Sequence, residues 1–127
     1  MSVLEKWHRL VRENDADAVD ALLDRQAVFI SPVLHSPQLG REKAAMYLRA
    51  ALMLLNNGNF RYVGEWKGED SAVLEFEGAV DGVVINGVDM IWWNAAGFIT
   101  RFKVMVRPLK GMEMIRGKMA EALSVHS

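Results

Sequence analysis

Cysteine is absent from this chain. That excludes disulfides, a thiolate nucleophile and cysteine-ligated zinc. Charge of one sign is absent as well: 15 Lys and Arg stand against 16 Asp and Glu, a formal net charge of −1. Without a basic run there is no surface to track phosphates, and no nucleic-acid partner is expected. No stretch of about 18 apolar residues occurs, so no membrane span is expected. The opening Met1-Ser2-Val3-Leu4-Glu5-Lys6-Trp7 lacks a basic start followed by an apolar run, which predicts no secretory leader and a cytoplasmic location. Histidine is scarce: His8, His35 and His126 share no metal-ligand spacing and join no Asp-Glu cluster. Gly64, Gly68 and Gly78 do not form a phosphate-binding loop. No metal and no cofactor are expected.

What the chain has in surplus is apolar surface. Hydrophobic residues make up 51% of its 127 positions, with eight Met and four Trp. The length fits a single domain, residues 1 to 127. The excess over a usual composition of about 45–50% suggests a lined pocket or an oligomer interface beside the core.

Val3, Leu4, Trp7, Leu10 and Val11 recur at helical spacing. Asn14-Asp15 interrupts this helix, and Asp15 or a near neighbour suits the cap of a second, short one burying Val19, Leu22 and Leu23. Ala27 to Ile30 reads as a strand, ended by Ser31-Pro32, and 31–39 as an ordered loop containing His35. A long helix spans 41–56, stopped by Asn56-Asn57-Gly58-Asn59. The rest is mostly sheet: Phe60 to Lys67, Ser71 to Val80, an Asp81-Gly82 hairpin, Val83 to Asn94, and Phe98 to Val106, where Phe98, Thr100, Phe102, Val104 and Val106 share a face. Gly87 marks a bulge or a close approach. Residues 109–123 return to helix, with Met112, Ile115, Met119 and Leu123 on one side. Helices grouped before strands predict α+β.

Three groups of residues carry a family likeness. They are Trp7-His8-Arg9-Leu10-Val11 with Ala27-Val28-Phe29-Ile30-Ser31-Pro32, then Gly40-Arg41-Glu42, then Gly87-Val88-Asp89-Met90-Ile91 with Gly97-Phe98-Ile99. In this order and spacing the chain resembles the nuclear transport factor 2-like superfamily, and within it the SnoaL-like and ketosteroid-isomerase-like domains. The likeness covers about residues 3 to 108. It implies a cone: a curved antiparallel sheet wrapped around the N-terminal helices, a cystatin-like roll, here with an added C-terminal helix. It further implies a deep cavity lined by Ala72, Leu74, Phe76, Ile85, Asp89, Ile91, Phe102 and Val104. A homodimer through the outer sheet face is implied too, with Met90, Trp92, Arg101, Lys103 and Met105 turned outward.

Asp89 is the leading site candidate. Its flanks, Val88, Met90 and Ile91, are apolar, and a carboxyl in such surroundings tends to keep its proton. A neutral acid donates a hydrogen bond to a carbonyl, as in ketosteroid isomerase, and by resemblance Asp89 takes that acid's position. The other isomerase groups differ. Ser31 stands where the base is required, Trp7 replaces the oxyanion tyrosine, and Leu23 and Leu48 replace supporting tyrosines. Serine alone moves no substrate proton at neutral pH. His35, near the expected cavity mouth, is the second catalytic candidate. Ligand-binding candidates are Trp7, Ser31, Tyr47, Leu48, Leu74, Phe76, Ile91, Phe102 and Val104. Tyr62 and Trp66 share a strand face as sheet packing or cavity rim, and Glu75 and Glu77 face outward. The reading is a pocket protein for a small apolar carbonyl- or hydroxyl-bearing ligand, isomerase-, cyclase- or dehydratase-like. Its alternative is a non-catalytic ligand-binding or protein-interaction dimer module.

Overall fold

A computed structural model describes residues 1–124. Helix α1, Val3–Glu13, opens with Ser2, whose Oγ accepts from the Glu5 N–H at 3.1 Å. It buries Val3, Leu4, Trp7 and Leu10, the stripe expected from the spacing. Asp15 was expected to cap the next helix, but its side chain accepts no helix N–H. Its backbone (φ −102°, ψ 74°) lies outside the extended region a cap adopts, and the chain enters a 3-10 turn, Ala16–Ala18, before α2, Val19–Leu22.

Six strands follow, β1 Leu23–Ile30, β2 Gln38–Leu39, β3 Arg61–Lys67, β4 Ser71–Val80, β5 Val83–Trp93 and β6 Ile99–Arg107, with α3, Arg41–Leu55, between β2 and β3. Their order across the sheet is β2-β1-β6-β5-β4-β3. Every pairing is antiparallel except β1 with β6, which is parallel. That parallel ladder explains why β1 starts before Ala27: Leu23, expected at a helix end, pairs with Ile99. The sheet is curved and unclosed, with α3 laid against β1, β2 and β4. Asp81 and Gly82, both at positive φ (51° and 78°), make the tight turn between β4 and β5.

Two bulges change which side chains face inward. Between β5 and β6, Trp92 pairs with Arg101 but Trp93 pairs with Ile99, leaving Thr100 as the extra residue. The predicted alternation therefore breaks: Ile99 is fully buried and Phe98 is exposed. Between β3 and β4, Tyr62 pairs with Phe76 and Gly64 with Glu75, leaving Val63 over. Tyr62 and Trp66 consequently lie on opposite faces, Tyr62 packed on the core and Trp66 59% exposed.

Inside the curve, Trp7, Phe29, Phe76 and Phe102 are fully buried and fill the centre. Helix α4, Leu109–Ser124, follows a cis Arg107–Pro108 bond and packs on α3, β5 and β6 through Gly111, Ile115 and Met119. Among the described residues no helix is long and apolar enough to cross a membrane.

Gly87 sits in unbroken register opposite Phe76, so it marks a close approach and not a bulge. A Cβ there would lie 2.4 Å from the Met105 carbonyl oxygen and 2.6 Å from Phe76 Cζ. Gly87→Ala is expected to cost roughly 1–3 kcal/mol through overpacking, measured by urea denaturation; a loss below about 0.5 kcal/mol would contradict this packing.

Candidate functional site

Asp89 lies on the inward face of β5, opposite Leu74 on β4 and Val104 on β6. It is 6% exposed, the only buried carboxyl among the described residues. It ends a chain of hydrogen bonds. Trp7, 1% exposed on α1, donates its indole N–H to the Tyr62 hydroxyl at 2.9 Å. Tyr62 donates in turn to Asp89 Oδ2 at 2.5 Å. The directions are fixed, because an indole N–H only donates.

Burial pushes the Asp89 carboxyl up to about 7, and the bond from Tyr62 pulls the other way without cancelling it. Burial, then the charge and hydrogen bond of Asp89, hold the Tyr62 phenol well above its ordinary range, so it remains a donor. With Tyr62 occupying Oδ2, a proton on Asp89 sits on Oδ1. That atom receives no hydrogen bond from the described residues.

The carboxyl faces a cavity of about 20 Å³, room for about one water molecule. Its wall includes Trp7, Leu48, Phe60, Tyr62, Phe102 and Val104. The deep cavity implied by resemblance is therefore closed in this structure. Trp7 and Phe102, ring centroids 4.9 Å apart, occupy its centre together with Leu48. A second void of about 10 Å³ lies beyond Ala51, Leu55 and Val104, against α4.

The remaining predicted positions divide clearly. Leu74, Phe76 and Ile91 are buried core that does not line either void. Ser31 is buried beside the second void, and its Oγ accepts from the Val33 N–H at 3.2 Å. Tyr47 packs on Phe29 with ring centroids 6.5 Å apart and reaches neither void. His35 is exposed in the loop before β2 and lines neither void, so the structure does not bring it to Asp89. His8, expected to be exposed, is half-buried: its Nε2 meets Glu65 Oε1 at 2.7 Å, and its ring stands edge-on to Tyr62 at 5.4 Å. His126 lies outside the described residues.

Sequence reasoning missed Tyr62 as the partner of Asp89. Its inward direction depends on the bulge at Val63, which no residue pattern signals.

Fold and site together define a class, an α+β cone with one acid in its apolar interior. The chain belongs to the nuclear transport factor 2-like superfamily. It is 32% identical to a steroid delta-isomerase from Pseudomonas aeruginosa, with 98% of this chain and 90% of that one covered and a TM-score of 0.92. A cystatin-like-fold protein conserved in bacteria, from Silicibacter pomeroyi, is 27% identical over 94% of this chain and 83% of that one, TM-score 0.85. An NTF2-like protein from Mesorhizobium loti shares the fold at 17% identity, 84% and 88% coverage and TM-score 0.72. No family model and no curated protein matches the chain.

The Asp89 carboxyl has an ordinary value of about 3.9 when unfolded and about 7 when folded. The folded state then binds the proton more tightly. Its stabilising effect is complete below about pH 4, declines as pH rises toward 7, and is gone above it. Asp89→Asn is expected to remove this component, on the order of 4 kcal/mol. Urea denaturation of both proteins between pH 4.5 and 8 checks it; parallel profiles would contradict the raised carboxyl.

Proposed function

We propose that this chain binds a small apolar molecule through a single carbonyl or hydroxyl oxygen at Asp89. The observation that carries this reading is the hydrogen-bond chain from Trp7 through Tyr62, which engages one oxygen of Asp89 and leaves the other without a partner among the described residues, on a side chain that lines a mostly apolar void. Protonated, Oδ1 donates to a ligand carbonyl. Ionised, it accepts from a ligand hydroxyl. The apolar wall supplies affinity, and one acid supplies orientation. Because the void holds only about one water, binding requires the wall to move.

Chemistry at this site would be that of one acid working in both directions: in a dehydration, Asp89 gives its proton to the departing hydroxyl, which leaves as water, and the resulting carboxylate takes the proton from the neighbouring carbon. Proton relocation of the isomerase kind needs a base as well. Ser31 occupies that position, and its hydroxyl oxygen is engaged by Val33 beside the other void. The identity with a steroid delta-isomerase thus supports the pocket more than the reaction.

A second reading concerns the outer sheet face as a homodimer interface. Val88, Met90, Trp92 and Met105 form an apolar stripe on β5 and β6. Glu75 and Glu77 of β4 flank it on one side; Arg101 and Lys103 of β6 flank the other, with Arg101 4.9 Å over the Trp92 ring. A two-fold arrangement sets each acidic border against the basic border of a second copy.

Titration with 2-octanone by calorimetry is expected to show affinity falling about tenfold per pH unit above 7, as Asp89 loses its proton. Asp89→Asn should bind without that pH dependence, and Asp89→Leu about tenfold or more weakly. Wild-type affinity that is flat from pH 6 to 9 would overturn the role of Asp89. For the interface, sedimentation velocity should give a dimer that Lys103→Glu shifts toward monomer; a wild-type monomer at micromolar concentration would end that reading.

A further inference from the structure

The two voids share three wall residues, Ala51, Leu55 and Val104. Those three residues therefore border both voids. The first void ends on Asp89 and the Tyr62 hydroxyl; the second is wholly apolar apart from the engaged Ser31, and its far wall is Ile115 and Met119 of α4. Beyond the Asp89 and Tyr62 end, the walls of the two voids are apolar but for Asn56, whose Nδ2 donates to the Val11 and Asn14 oxygens, and the engaged Ser31. Each void is of water or methylene size, so a line from the carboxyl to α4 is narrow along its length.

The separating wall and the α4 wall are adaptable. Leu55 is only half-buried at the end of α3, and Met119 is unbranched and repacks readily. Helix α4 packs closely at its start, where a Cβ on Gly111 would lie 2.6 Å from Ile85. Further along, its side-chain ion pair is the exposed one between Lys118 and Asp81 at 2.8 Å, and such pairs contribute little. Ile115 and Met119 themselves are buried in the core and close the far end of the second void.

We infer that the two voids are the ends of one channel, that its occupant is an unbranched hydrocarbon chain with one terminal carbonyl or hydroxyl, and that Met119, backed by Ile115, sets the chain length accepted. This rests on the head-group role of Asp89 proposed above. The head sits at Oδ1, and the chain displaces Leu55 and ends against α4.

The test is a series of unbranched methyl ketones from 2-pentanone to 2-tridecanone, titrated by calorimetry into the full chain. Affinity should rise about four-fold per added methylene, the equivalent of burying one CH₂, and then level off at a defined length. Met119→Ala should move that limit to longer chains by about the length of the deleted side chain, while short ketones keep wild-type affinity. Met119→Leu, similar in volume and shape, serves as the folded control and should leave the limit in place. Asp89→Leu should weaken all lengths by the same factor and leave the limit unmoved. Affinity that rises without a limit, or a Met119→Ala limit at the wild-type length, would overturn the channel while leaving Asp89 intact. Ketones that bind with a limit but ignore Asp89→Leu would overturn the head group instead, and with it the end-to-end orientation. If no ketone binds, both inferences fall.

Discussion

The constraint on which this site depends is the removal of one carboxyl from water. Among the described residues no cation stands beside Asp89. What it has is a neutral donor, Tyr62, itself held by the indole of Trp7. Three elements distant in sequence, α1, β3 and β5, meet in that chain. A buried carboxyl without a counter-charge is costly in its ionised form, and the cost appears as a carboxyl pushed up to about 7. The same burial that makes the group expensive makes it able to give or take a hydrogen bond near neutrality.

Packing around this chain is tight. Phe60 stands edge-on to Tyr62 at 5.1 Å from one direction, and His8 does so at 5.4 Å from another. Trp7 leans on Phe102, which leans on Phe29. An aromatic cluster of this kind fixes the tyrosine ring and shields the carboxyl from bulk water. It also fills the cone. The family's fold supplies a concave sheet, but what that concavity holds is decided by side-chain volume, and here large rings occupy it.

The curvature and the site share one cause. The bulges at Val63 and Thr100 bend the sheet around α3, and each inverts the alternation of its strand. The first turns Tyr62 toward Asp89 and sends Trp66 outward. The second replaces Phe98 with Ile99 in the core. Without the bulge at Val63 the strand would carry a different face to the acid, and Asp89 would lack its donor.

Local pattern was enough for the helical stripe of α1, the hairpin at Asp81-Gly82, the long α3 and the three long strands after it, but not for the two-residue β2, Gln38–Leu39, which lies within the stretch read as loop. These depend on local periodicity and turn chemistry, which neighbouring residues specify. It also marked Asp89 as unusual, since a charge among Val88, Met90 and Ile91 conflicts with its surroundings. The tertiary structure alone decided that β1 begins at Leu23, because its partner in the parallel ladder is Ile99. It alone placed Tyr62 against Asp89, removed His35 and Tyr47 from the site, and closed the cavity. Each of these follows from pairing register or from summed side-chain volume across elements far apart in the chain, quantities that no local pattern encodes.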